Sequence, residues 1–187
     1  MDYVTIATTS NAVEFGELTE ARGATTTASN STRGVFMAGF NPANTNTIDY
    51  ITIASLGDAV DFGGFTLTKT HAAGGAQSPT RGILAGGFPG INTIEYITFA
   101  STGNATDFGD RVQDQHSVTG CSSQTRGVFG GGTTPGAGNI IDYITIATTG
   151  NAQDFGDLVT ASTGTKGATS DQINGCFFAG WTGSAYV

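Results

Sequence analysis

The chain has 187 residues, a formal net charge of −8 and charged side chains at only 12% of its positions. An acidic chain repels phosphate backbones, so we expect no nucleic-acid partner. It contains no apolar run long enough to span a bilayer, so we expect no membrane insertion. Glycine is abundant, at 29 residues, while Ile, Val, Phe and Tyr alternate with polar residues as they do in strands. The composition predicts an all-β fold and excludes a disordered chain.

One phrase of sequence occurs four times, at residues 1–8, 48–55, 94–101 and 141–148. Its tyrosines recur every 46 or 47 residues, at Tyr3, Tyr50, Tyr96 and Tyr143. A repeat of this length that holds four short strands is typical of a β-propeller blade. A β-helix is the competing repeat fold, but its coils need fewer residues. We therefore predict a single propeller domain over residues 1–187.

In chain order, residues 1–18 supply only the third and fourth strands of a repeat, which we call strands C and D. Three complete blades with strands A to D follow at about 22–66, 69–112 and 115–159. Residues 163–187 supply strands A and B alone. We predict that they pair with the N-terminal strands in one composite blade, which closes a four-bladed ring and leaves no open edge. An eight-bladed ring of two chains and a longer array are the alternatives.

Within a repeat, strand A is made of small residues, which suit a crowded central axis, and strand C is apolar on both faces, as a strand between two blades must be. Strand D carries a phenylalanine followed by glycine, at Phe15, Phe62, Phe108 and Phe155. Strand B begins with an arginine in three copies, at Arg33, Arg81 and Arg126. We expect these arginines to pair with the acids of strands C and D; the alternative is a ligand-binding ring.

The glycine pair after strand B, as in Gly86-Gly87 and Gly131-Gly132, resembles the kelch repeat when taken with the Tyr of strand C and the aromatic of strand D. Two copies have Ala-Gly instead, and strand D has Phe where kelch repeats usually have Trp. The phrases around residues 125–132 and 142–158 more closely resemble kelch-like repeats in tail-fibre and other structural proteins of marine bacteriophages. This resemblance implies a virion location, extracellular in the mature particle, with other virion proteins as partners. A cytoplasmic protein is the alternative.

The loops between strands B and C, and the linkers between D and the next A, differ among the repeats, whereas the C–D turns are nearly identical. Function concentrates in variable loops on a rigid scaffold, so we expect a protein or glycan receptor to bind this loop face. Aromatic rings beside Asn and Thr would suit stacking on a sugar; the competing interpretation is that the rings pack under the loops. The candidate ligand-binding residues are Trp181, Phe40, Phe88, Arg22, Lys69, His71, Arg111 and His116.

Catalytic signals are weak in this sequence. His71 and His116 have no repeated Ser or Cys partner, and no nucleophile, base and orienting group recur together. Cys121 and Cys176 form no metal-binding spacing, so we expect no metal or cofactor. We interpret both as buried thiols that act as small apolar side chains, with a disulfide left open. We therefore predict a non-enzymatic structural or adhesion module. A cellular lectin-like or protein-interaction propeller and a glycan-active enzyme are the alternatives.

Overall fold

The computed structural model describes residues 1–69, 74–133, 135–163, 167–178 and 180–186. Within these ranges every regular element is a strand, and all the strand pairs are antiparallel. The prediction of an all-β fold is thus confirmed. A search of the same ranges finds no helix that is long and apolar enough to cross a membrane.

The strands form five sheets, a two-stranded sheet at each end of the chain and three four-stranded sheets between them. The first hairpin consists of β1 (Asp2–Tyr3) and β2 (Val13–Glu14). Blade 1 consists of β3 (Thr26–Ser29), β4 (Arg33–Phe40), β5 (Asn44–Thr52) and β6 (Val60–Lys69). Blade 2 consists of β7 (Gly74–Gln77), β8 (Arg81–Ala85), β9 (Ile91–Thr98) and β10 (Thr106–Gln115).

Blade 3 consists of β11 (Thr119–Ser122), β12 (Arg126–Gly130), β13 (Gly138–Thr145) and β14 (Gln153–Ser162). The last hairpin consists of β15 (Gly167–Ser170) and β16 (Gly175–Phe178). In each blade the four strands lie side by side in chain order, as a meander of strands A to D. The predicted four-stranded repeat is therefore confirmed.

The predicted pairing of β16 with β1 is not found in the part of the chain that the structure describes, where the two hairpins are separate sheets. The first hairpin is held on blade 1, because Gly57 N donates to Phe15 O at 2.9 Å. The last hairpin instead packs its inner strand, β15, against β11 of blade 3. The hairpins thus pack on opposite ends of the row of blades. The described residues form propeller-like four-stranded sheets, and no closed ring is seen among them.

Neighbouring blades are joined by the same hydrogen bonds at each of three interfaces. The carbonyl of the strand-D phenylalanine accepts from the second residue of the next C–D turn, in the pairs Phe15–Gly57, Phe62–Gly103 and Phe108–Gly150. Two residues farther along, a second carbonyl accepts from the turn alanine, in the pairs Glu17–Ala59, Gly64–Ala105 and Asp110–Ala152. The turn side chain accepts in return, in the pairs Glu17–Asp58, Gly64–Asn104 and Asp110–Asn151.

This close approach requires glycine after the strand-D phenylalanine. Gly109 has a φ of +139°, and a Cβ there would lie 2.6 Å from the main chain of Gly150 in the next blade. Gly63 has a φ of +143° and faces Gly103 in the same way. Any larger residue would force the two blades apart.

The core lies between the blades rather than within one sheet. One cluster joins blades 1 and 2 and includes Ile48, Phe62 and Phe99; a second joins blades 2 and 3 and includes Phe108 and Ile146. Strand C is apolar on both faces because each face meets a different neighbour. Burying one such phenylalanine stabilises the fold by about 1.5–3 kcal/mol.

Candidate functional site

Three of the predicted aromatic residues, Phe40, Phe88 and Trp181, lie at equivalent ends of strand B with exposed fractions between 38% and 44%. Each directly follows a glycine, Gly39, Gly87 or Gly180, and leads into the B–C loop. Main-chain bridges hold two of them in place: Phe40 pairs with Gly23, and Trp181 pairs with Thr163. The loop face therefore carries large rings on a fixed main chain.

Two of these rings have an aromatic neighbour on the same face. The Trp181 and Tyr186 rings are 5.0 Å apart, and the Phe88 ring meets the His116 imidazole edge-on at 5.5 Å. The His116 Nδ1 atom lies 3.0 Å from the Ser117 hydroxyl. Rings beside hydroxyl groups match what sugars and extended peptides require. Tyr186 was missed in the sequence because it belongs to no repeated position.

The three cations predicted on this face, Arg22, Lys69 and Arg111, are instead buried at the interfaces between blades. Arg22 pairs with Asp49 at 2.7 Å, Lys69 with Glu95 at 2.8 Å and Arg111 with Asp142 at 3.1 Å. All six side chains are almost fully buried. In each pair the acid lies on strand C of one blade; Lys69 and Arg111 lie on strand D of the preceding blade, and Arg22 lies in the linker that follows β2. The expectation that these cations are exposed on the surface is therefore wrong.

Burial sets the direction of the pKa shifts at these pairs. Desolvation lowers the pKa of Lys69, and the charge of Glu95 opposes this. Desolvation likewise lowers the pKa of Arg111 and raises that of Asp142, against the attraction between the two charges. Main-chain and hydroxyl donors also hold the acids, as where Thr66 donates through N and Oγ1 to Glu95. These pairs determine how blades fit together rather than what they bind.

The strand-B arginines do not pair with acids as the sequence led us to expect. Their guanidinium groups stack on the strand-C tyrosines at 4.4–4.5 Å, in the pairs Arg33–Tyr50, Arg81–Tyr96 and Arg126–Tyr143. Arg33 also donates to the main-chain oxygen of Phe99, and Arg81 donates to that of Ile146 at 2.7 Å. The strand-C acids pair instead with Arg22, Lys69 and Arg111. Arg33 and Arg81 therefore serve as structural links to the next blade.

An open channel of about 1280 Å³ runs along the inner strands β3, β7, β11 and β15. The sequence led us to expect a crowded axis. Glycines there, such as Gly75 and Gly167, are tightly packed, because a Cβ would lie 2.8 Å from Thr26 Cγ2 or 2.7 Å from the Phe178 ring, yet an open channel remains beside the strands. Hydroxyl and amide side chains line the channel, and none of its described lining residues is charged. The channel therefore offers mainly neutral hydrogen-bonding groups, together with the Cys121 thiol.

The remaining predicted residues add little to this site. His71, and Lys166 in the corresponding later linker, lie outside the described residues. Among the described residues, no group of three or more His, Cys, Asp or Glu side chains is placed to hold a metal ion. Cys121 and Cys176 are free thiols. Cys121 is buried as expected, which raises its pKa. Cys176 is exposed, so the expectation that it is buried is wrong.

Comparison with known proteins finds no family model and no curated protein that matches this chain. The resemblance to kelch-like repeats therefore stays a prediction from the repeated phrases.

Proposed function

We propose that this chain is a non-enzymatic structural and adhesion module with a kelch-like propeller architecture, which binds a protein or glycan partner through its loop face. The observation that carries this proposal is the set of exposed rings at equivalent positions, Phe40, Phe88 and Trp181. A sugar ring or an apolar peptide side chain gains contact area on such rings at little cost in side-chain entropy.

The propeller part of the proposal includes a composite fourth blade. Strands A and B of this blade are β15 and β16, and strands C and D are β1 and β2. In the form that the sequence predicts, all four belong to one chain and a four-bladed ring results. The three complete blades predict how β16 and β1 would pair. In each of them the third residue of strand B lies opposite the tyrosine of strand C, and β16 contains an equivalent of that strand-B residue.

The virion part of the proposal rests on the phrases that resemble phage tail-fibre and other virion structural repeats. It implies an extracellular location in the mature particle and contacts with other virion proteins. Genes for capsid or tail proteins beside this one would support this assignment. Genes of a cellular pathway there would favour a cytoplasmic lectin-like or protein-interaction propeller instead.

The binding proposal is tested with a glycan array and with host-cell binding. We expect Trp181→Ala to reduce binding at least about tenfold, because large rings dominate such contacts. Leu56→Ala is the matched control, since Leu56 is a large exposed side chain in a C–D turn, at the opposite end of the blade. If Trp181→Ala and Phe88→Ala both bind as the parent does, the loop face is not the binding surface. Turnover of a polysaccharide by the purified protein would favour the enzyme alternative.

A further inference from the structure

The two ends of the row of blades carry matching halves of an interface that the chain already forms three times. At one end, Phe155 O and the main-chain groups of Asp157 occupy the positions that join strand D to the next blade. At the other end, Ser10, Asn11 and Ala12 occupy the positions of the C–D turn that receives it, and all three are exposed. The strand-D main-chain groups at one end are therefore the hydrogen-bond partners that the C–D turn at the other end requires.

Apolar side chains at the two ends match in the same way. Phe155 is 53% exposed. Its equivalents Phe62 and Phe108 are covered by the next blade and are only 3% and 2% exposed. Ile6 is 98% exposed, whereas Phe99, at its repeat position, is 1% exposed. A neighbouring blade thus covers the equivalents of both side chains elsewhere in the chain.

The glycine and arginine of blade 3 also lack the contacts that their equivalents make. A Cβ on Gly156 would meet nothing within 4 Å, although its φ of +134° is that of the tightly packed glycines. Arg126 stacks on Tyr143 as the other strand-B arginines stack on their tyrosines. By the repeat, the carbonyl that it would reach in a following blade is that of Ile6.

The sheet edges match in register as well. In the complete blades the third residue of strand B opposes the tyrosine of strand C, in the pairs Val35–Tyr50, Ile83–Tyr96 and Val128–Tyr143. The equivalent pair at the ends is Cys176 and Tyr3, on the edge strands β16 and β1. An edge strand presents unpaired main-chain groups that another strand can satisfy.

The curvature of the row of blades determines whether β16 can pair with β1 of its own chain or only with β1 of another copy. Inner strands of adjacent blades pack together, with β3 on β7, β7 on β11 and β11 on β15, but β15 makes no comparable contact with β3 among the described residues. The first hairpin is fixed on blade 1 by Phe15 O. The row is therefore more open than a four-bladed ring, and the hairpin of the same chain does not reach β16.

We propose that two copies of this chain associate head to tail, so that β16 of each copy pairs with β1 of the other. This inference rests on the composite blade of the proposed function. It adds that β1 and β2 of that blade come from a second copy of the chain. Two copies then form two composite blades and six complete ones, an eight-bladed ring with twofold symmetry. Such head-to-tail interfaces form a closed ring when the rotation between copies closes.

The composite interface differs from the others in its charges. Asp2 occupies the position of Asp49, Glu95 and Asp142, but Leu158 stands where blade 2 has Arg111. Ser162 stands where blade 1 has Lys69. Blade 3 therefore has no cation at either of the two repeat positions that could pair with Asp2. The association is therefore weaker than the contacts between blades of one chain, and it is reversible with concentration.

The exposed Cys176 reports this association without a mutation. In blades 1 and 2 its equivalents, Val35 and Ile83, are buried. We expect iodoacetamide to label Cys176 at least about tenfold more slowly as the protein concentration rises and sedimentation shows a two-chain particle, with buried Cys121 as the internal reference. Slow labelling at every concentration in a one-chain particle would mean that the chain closes on itself, which overturns the second copy and leaves the composite blade. Labelling that stays fast at every concentration, or particles of more than two chains, would overturn the ring.

Leu158→Arg tests the geometry of the interface from the opposite direction. An arginine there repeats the pairing of Arg111 with Asp142, so we expect the two-chain particle to dissociate about tenfold less readily. Leu158→Glu is the matched control; it places an acid opposite Asp2 and should weaken association. If both variants associate as the parent does, Leu158 does not face Asp2 of a second copy and the proposed interface is wrong.

Discussion

Replacing Lys69 with methionine tests whether the buried ion pairs hold the blades together. The change leaves the Glu95 carboxylate in the core with its two Thr66 donors but without the cation at 2.8 Å. Because both side chains are almost fully buried, removing one partner should lower the free energy of unfolding by about 3–5 kcal/mol. Equilibrium urea denaturation followed by tryptophan fluorescence and circular dichroism measures this loss as a lower midpoint with an unchanged slope.

The double variant Lys69→Met with Glu95→Gln is the control for this prediction. Glutamine still accepts from Thr66 but carries no charge, so the double variant should recover to within about 1.5 kcal/mol of the parent. A single variant that loses less than about 1 kcal/mol, or a double variant that recovers nothing, would refute the reasoning.

Two further changes test the contacts between blades, both measured at a protein concentration low enough for the chain to be a single copy. Gly63→Ala should destabilise the chain by about 2 kcal/mol or more, because its Cβ meets the main chain of Gly103. Gly156→Ala, whose Cβ meets nothing in the single chain, should cost at most about 1 kcal/mol of backbone strain. Equal losses in urea denaturation would contradict the packing argument. Arg81→Met should cost about 1–3 kcal/mol, since it removes both the stacking on Tyr96 and a hydrogen bond to Ile146 O. Arg126→Met, at the exposed end, should show about half that loss in the same assay.

The repeating part of the fold was readable from the sequence because periodicity constrains it directly. Four similar copies of strand C, with Tyr50 and its equivalents, fixed the strand order and predicted a four-stranded unit. The apolar character of strand C on both faces also predicted neighbours on each side, and the clusters around Ile48 and Ile94 have this arrangement. The state of the two ends was not readable, because the repeat is the same in a closed ring and in an open row.

The candidate site was harder to predict, because the residues that depart from the repeat have two kinds of role. Arg22, Lys69 and Arg111 looked functional since they interrupt polar linkers, yet each neutralises an acid in the next blade. The signal that separates the roles was present: each linker cation is matched by one strand-C acid, whereas Arg33 and its equivalents face a repeated tyrosine. Trp181 and Phe88 differ from these cations because they lie on the loop face, where 38% and 44% of the two residues are exposed.

The three buried ion pairs also bear on how near-identical repeats find their proper neighbours. Similar segments in one chain are prone to misassembly, in which a blade docks against the wrong partner. Here the pairs differ in reach: Lys69 with Glu95, Arg22 with Asp49, and Arg111 with Asp142 from an earlier position along its strand. A blade that docked against the wrong neighbour would meet an acidic side chain that is too short or too long, or a cation at a different position along strand D. It would then bury a charge without a partner. The three ion pairs therefore favour the native order of the blades over an arrangement in which two blades exchange places.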